Sequence, residues 1–128
     1  MKEWKISKPK ITTSAKEDVS KRASALVNGV LKPQHIKPEL DNFHFNHLVD
    51  IFLKWRGSSL SFCAKYNSYE ENAISPSFDI KFARLIYVGD NKFNLSYMRH
   101  NGKWFELHVG LTGKECCDAI KSEPYFVL

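Results

Sequence analysis

Cysteine is scarce, and its arrangement excludes a disulfide-stapled scaffold. Cys63, Cys116 and Cys117 are odd in number, and the adjacent pair is no Cys-x-x-Cys redox motif. They read as reduced thiols, so a cytoplasmic location is expected. Long apolar runs are missing as well. Leu48-Val49 and Ile51 to Leu53, separated by Asp50, are far too short to cross a bilayer. The opening Met1-Lys2-Glu3-Trp4-Lys5-Ile6 is positive but has no apolar run behind it, and neither end carries a lipidation signature. Neither a secretory signal nor a membrane partner is expected.

Catalytic and metal motifs are also lacking. The chain contains no Gly-x-Ser-x-Gly elbow, no His-Glu-x-x-His helix and no deaminase or zinc-finger spacing. Gly110-Leu111-Thr112-Gly113-Lys114 resembles part of a phosphate loop. Its glycine spacing is wrong, however, and Glu115 stands where a hydroxyl would hold the metal. His44 and His47 are three apart, which on a strand sends them to opposite faces, and His35 lies too far away to be recruited by spacing alone. No cofactor and no metal site is expected. Cys116 and Cys117 read as buried packing groups near a helix start.

What is present suits one domain. The 128 residues are 43% hydrophobic and 26% charged, and nine Phe, five Tyr and three Trp supply large packing groups. Residues 1–13 are polar and Pro-containing and read as a basic, flexible segment ahead of a single domain over 14–128. Ser14 and Glu17 fit a capping box. Val19, Ala23, Leu26, Val27, Val30 and Leu31 then recur at helical spacing, with Gly29 a weak point and Pro33 the stop.

Alternation takes over at Phe43 and Phe45 and continues on the odd positions Val49, Ile51, Leu53 and Trp55. Asp50, Lys54 and Arg56 point the other way. Gly57-Ser58 links to a second strand with Leu60, Phe62, Ala64 and Tyr66 on its apolar side. Asn67 to Ser77 reads as the longest loop. Phe78–Val88 and Lys92–Arg99 form the next strands, joined through Gly89-Asp90-Asn91. Asn101-Gly102, a preferred type I′ pair, leads into Lys103–Val109. Thr112 and Glu115 make a second capping box, with Leu111 and Cys116 as its staple, and Pro124 ends the short helix. Tyr125 to Leu128 is apolar enough to dock.

The expected fold is α+β, a four- or five-stranded mainly antiparallel sheet with an N-terminal helix and a short C-terminal helix. No helices of crossover length separate the strands, which excludes a doubly wound nucleotide-binding domain.

The formal net charge of +5 is unevenly placed. Residues 1–38 hold nine Lys/Arg against three Asp/Glu, whereas residues 39–128 hold ten against eleven. Basicity by segment therefore belongs to the N-terminal region. Lys5, Lys8, Lys10, Lys16, Lys21 and Arg22 are candidates for weak nucleic-acid association, against a solvated arm with no specific partner.

The most concentrated polar constellation is Arg84, Tyr97, Arg99, His100, Trp104, Glu106 and His108. Tyr97 and Arg99 share one face of their strand by the two-residue period, as do Glu106 and His108 on the next. A guanidinium clamp, an aromatic platform and a histidine proton carrier would suit a small anion or an acidic protein surface. The competing reading is an antiparallel face laced with cross-strand pairs. A non-enzymatic interaction module is the leading expectation, with nucleic-acid association and a small enzyme using His100 or His108 as alternatives. No reaction class emerges from the motifs.

Lys81-Phe82-Ala83-Arg84-Leu85-Ile86-Tyr87, Phe93-Asn94-Leu95-Ser96-Tyr97-Met98-Arg99 and Gly102-Lys103-Trp104 carry a resemblance over roughly Leu26 to Phe126. They resemble a small uncharacterised bacterial family, domain of unknown function 3024. The family commonly has an acidic residue where His100 and Asn101 stand and a His where Phe105 stands. The resemblance implies a bacterial cytosolic protein of this size with an aromatic-rich strand–turn–strand core, and it carries no assigned activity.

Overall fold

A computed structural model describes residues 9–36, 47–67 and 77–126. Helix α1 (Thr13–Leu26) passes into a π-helical segment (Val27–Leu31) and a last turn α2 (Lys32–His35). Strands β1 (His47–Arg56), β2 (Ser59–Asn67), β3 (Ser77–Gly89), β4 (Lys92–Met98) and β5 (Trp104–Thr112) follow, then α3 (Gly113–Ser122) and a 3₁₀ turn over Pro124–Phe126. The five strands form one antiparallel sheet in chain order, β1-β2-β3-β4-β5. The fold is thus α+β with an N-terminal and a short C-terminal helix, as the periodicity predicts. The proposed strand start at Phe43 and Phe45 and the loop inside 67–77 lie outside the described residues.

Both helices cover the same side of the sheet. Ala15, Val19, Ala23 and Leu26 of α1 and Cys116, Ala119 and Ile120 of α3 join Ile51, Leu60, Phe62, Leu85, Phe93 and Leu95 in one buried cluster. The helices themselves meet at Gly113, where a Cβ would lie 3.0 Å from Val19 Cγ2. A Cβ there requires Val19 to give way by a few tenths of an ångström, and a branched side chain crowds α1 further. Gly113→Val is expected to destabilise the fold by about 1–3 kcal/mol, the usual cost of overpacking, read as a lower urea midpoint with an unchanged m-value.

Local details differ from expectation in three places. The cap of α1 is Thr12, whose side chain accepts from the Ala15 amide, and not Ser14. Ile11 is also tied down, donating its N–H to Ser58 Oγ at 2.8 Å. Pro33 does not stop the helix, which continues to His35. The π-helical turn before it widens the backbone, and the wider turn offsets the i−4 carbonyl that the proline ring would otherwise strike. Asn101-Gly102 does join β4 to β5, but not as a type I′ pair. Gly102 N–H donates to Arg99 O, Arg99 N–H donates to Lys103 O (each 2.9 Å), and of the loop residues Gly102 alone has positive φ. This is a three-residue loop ending in an αL glycine. A run of three positive-φ residues occurs instead at Gly89 (φ 101°), Asp90 (φ 52°) and Asn91 (φ 58°).

The sheet carries bulges that simple alternation does not foresee. A register shift between Leu48 and Asp50 leaves Val49 without a partner, and buried Leu48 joins the core in its place. Phe82 is skipped between the pairs Phe62↔Ala83 and Cys63↔Lys81. Leu107 is skipped between Leu95↔His108 and Ser96↔Glu106.

Candidate functional site

Directly opposed residues in an antiparallel sheet share a face, so the side turned away from α1 and α3 is read in rows. The central row is Lys54–Ser61–Arg84–Ser96–Glu106 across all five strands. Toward the β1–β2 turn lies Arg56–Ser59–Ile86–Asn94. On the other side come Phe52–Cys63–Lys81 and, on β4 and β5, Met98–Trp104. Beyond them Lys65 stands between Asp50 and Asp79, and Lys32 reaches Asp50 at 3.2 Å.

The face is therefore polarised. Its far end is charge-balanced, whereas Lys54, Arg56, Lys81 and Arg84 share the rest with one carboxylate, Glu106. Among the described residues none of these four cations forms an ion pair.

Arg84 is the organising group. Its guanidinium lies 4.4 Å from the centre of the Trp104 ring, two strands away. Ser96 sits between them on β4 and is 2% exposed. A hydroxymethyl side chain there leaves room for the arginine to lie flat across β4. Stacking on an indole holds the guanidinium plane in place. Its Nε is buried and, among the described residues, has no hydrogen-bond partner. Burial lowers the Arg84 pKa from its ordinary value, while the nearby Glu106 charge pulls it back up. The group stays cationic at neutral pH and is partly stripped of water, the condition in which a charge-assisted hydrogen bond to an anion is strongest.

The sequence-derived constellation does not assemble as a single site. Arg84, Trp104 and Glu106 lie on the open face. Tyr97 lies on the helical side, with ring centres 5.0 Å from Tyr125 and 6.3 Å from Phe126. Arg99 turns toward the same aromatic group, 5.3 Å over Phe105. Glu106 and His108, expected on one face, are separated by the unpaired Leu107, which inverts the alternation between them. His108 Nε2 consequently meets Glu123 at 2.8 Å on the helical side. His100 is exposed in the β4–β5 loop, and among the described residues no hydrogen bond or ion pair engages it.

Of the nucleic-acid candidates, Lys5 and Lys8 lie outside the described residues. Arg22 is paired with Asp18 at 3.1 Å. Lys10, Lys16 and Lys21 line a groove between α1 and the β1–β2 turn.

Sequence reasoning missed Lys54, Arg56 and Lys81 as members of a charged face. Their signal was the alternation of Lys54 and Arg56 opposite Leu53 and Trp55. Summing charge by segment hid it, because Glu115, Asp118 and Glu123 cancel these cations in the count while standing on or beside α3, on the other side of the sheet. Cys63, on the open face, is 2% exposed, and its thiol pKa is raised chiefly by burial, against the lowering effect of Lys81 and Lys54. Among the described residues no group of three or more His, Cys, Asp or Glu is placed to hold a metal ion, and no helix is long and apolar enough to cross a membrane.

No curated protein and no solved structure matches the chain. One family model does, over residues 11–128, and it takes in α1 as well as the whole sheet and α3. The chain therefore belongs to the family described as domain of unknown function (DUF3024).

Proposed function

We propose that the chain is a non-enzymatic binding module whose open sheet face seats an anionic group of a ligand or partner against Arg84. The carrying observation is the guanidinium held over Trp104, at the end of a face where Lys54, Arg56, Lys81 and Arg84 stand with one carboxylate, Glu106. An exposed antiparallel face ordinarily sets opposite charges across from one another, as in the register of Lys65 with Asp50 and Asp79. The Arg84 end lacks that balance. Binding is favoured over chemistry because the proton carriers sit elsewhere, His108 on the helical side against Glu123 and His100 out in a loop. Three buried, unpaired thiols support placing the protein in a reducing cytoplasm.

Titration of the full chain with inorganic pyrophosphate and with an oligoglutamate peptide, followed by amide chemical shifts, tests this reading. Shifts are expected on β3–β5 around Arg84. Arg84→Ala should weaken binding about tenfold to a hundredfold, the worth of hydrogen bonds to a charged group. Arg84→Lys should not restore it, since a point charge lacks the stacked fork. Equal affinity in Arg84→Ala and the unaltered chain would remove Arg84 from the site.

A further inference from the structure

We infer that the anionic ligand is single-stranded nucleic acid, its backbone running from the Arg84 face over the β1–β2 turn into the groove beside α1. This rests on the open face being the anion site and goes further, since it names an extended polyanion and a path.

The groove encloses about 1390 Å³ and is open to solvent, with Lys10, Lys16, Lys21, Trp55, Gly57 and Ser58 among its walls. Lys16 holds its ammonium 5.1 Å over the Trp55 ring, and Trp55 Nε1 donates to Ser20 at 3.1 Å, which fixes the indole at the groove wall. Of the two carboxylates in the groove wall, Asp18 is already occupied by Arg22.

The groove and the open face meet at the β1–β2 turn. Trp55 and Arg56 are consecutive on β1, so their side chains project to opposite sides of the sheet. Trp55 belongs to the groove and Arg56 to the open face, beside Lys54. Gly57 and Ser58 form the turn, and Gly57 has no side chain and open space around it. Ile11 covers Ser58 through its hydrogen bond, so among the described residues the open point of the turn is Gly57, where a strand crosses from one side to the other.

Arg84, Lys54 and Arg56 thus continue into Lys10, Lys16 and Lys21 around a narrow edge. One phosphate uses a single point of this track, and a globular acidic partner meets one side of it. Duplex DNA, stiff over about 50 nm, does not fold round a two-residue turn. A flexible single strand does, and the half-exposed indoles of Trp104 and Trp55 offer its bases stacking surfaces along the way.

The test uses the full chain and fluorescence anisotropy of labelled oligothymidylate and oligouridylate of about 20 nucleotides, the pair separating DNA from RNA as the source. Affinity is measured over a range of salt. Six phosphate contacts predict a slope of log K against log salt of about −4 for a single strand, at roughly −0.7 per contact. Lys54→Ser/Arg56→Ser and Lys10→Ser/Lys21→Ser should each flatten it by about 1.4. All four residues are exposed, so an unchanged urea midpoint is expected and confirms that the variants fold. Lys5→Ser/Lys8→Ser should leave the slope nearly unchanged, and a duplex of equal length should bind more weakly.

A slope insensitive to Lys10→Ser/Lys21→Ser overturns the path while leaving the open face in place. Loss confined to Lys5→Ser/Lys8→Ser overturns it in favour of the N-terminal segment. Oligoglutamate binding that depends on Arg84, with no oligonucleotide binding even at low salt, overturns the nucleic-acid identity and keeps the anion site. Absence of binding to every probe removes both.

Discussion

Phe62→Ala is expected to destabilise the protein by about 3–5 kcal/mol, the range for deleting a buried aromatic ring. Phe62 is fully buried and sits on β2, opposite Leu53 on one side and Ala83 on the other. Its ring stands edge-on to Phe82 at 6.0 Å. Phe82 is the bulged residue of β3, so the truncation removes the packing partner of a side chain that its own strand ladder does not fix. A domain of this kind commonly has about 5–15 kcal/mol of total stability, so the loss is a large share of it. Phe62→Leu keeps most of the volume and should cost less than about 1.5 kcal/mol. Urea midpoints at constant m-value decide the matter. A cost below 1 kcal/mol for Phe62→Ala, at roughly the level of an ordinary surface change, would mean that the core does not centre on β2 and β3.

Alkaline pH should unfold the protein through its thiols. Burial, reinforced by the neighbouring Cys117 and Glu115, pushes the Cys116 pKa from 9.0 up to about 12. Burial and Asp118 push Cys117 from 9.0 up to about 11, against a lowering effect of Arg22. Both folded values lie above the unfolded one, so the folded chain keeps protons that the unfolded chain releases. Their contribution is intact below pH 9 and is lost as pH rises through the folded values. The expected decline in that window is up to about 1.4 kcal/mol per pH unit for each thiol. Cys63 and Tyr66, also raised by burial, add to it in the same direction.

The decisive comparison is the urea midpoint from pH 7 to 11 for the parent and for Cys116→Ala/Cys117→Ala. The double variant should start lower, having lost packing atoms, yet decline less steeply. Parallel curves would show that the two thiols are not the source. The same burial predicts that a disulfide reagent at mild pH labels the native chain slowly and the urea-unfolded chain quickly.

Much of the architecture was legible because it is local. Thr112 and Glu115 form the expected reciprocal cap, with Thr112 accepting from Glu115 N–H and the Glu115 carboxylate accepting from Thr112 N–H. Such a cap involves four consecutive residues and needs no tertiary partner. The spacing of Val19, Ala23 and Leu26 defined the buried stripe of α1, and the alternation of Leu60, Phe62 and Ala64 its counterpart on β2. Asn101-Gly102 located the β4–β5 hairpin, but the turn type was set by the extra residue in the loop and the pairing of Arg99 with Lys103. Pro33 read as a stop because the π-helical turn that accommodates it leaves no compositional mark.

The candidate site was less legible, and single bulged residues are the reason. Leu107 resembles any other strand residue, yet being skipped in the ladder it sends Glu106 and His108 to opposite sides of the sheet. Alternation is a relative rule, and one unpaired residue inverts everything after it. The order of elements, the cap of α3 and the buried stripe of α1 follow from the chain alone, because each depends on neighbours within a few positions. The tertiary structure alone decided that Arg84 lies over Trp104, that Lys54, Arg56 and Lys81 share its face, and that the acids of α3 do not. Those relations join residues far apart in the chain through strand register, and register is set by how the whole sheet buries its apolar side.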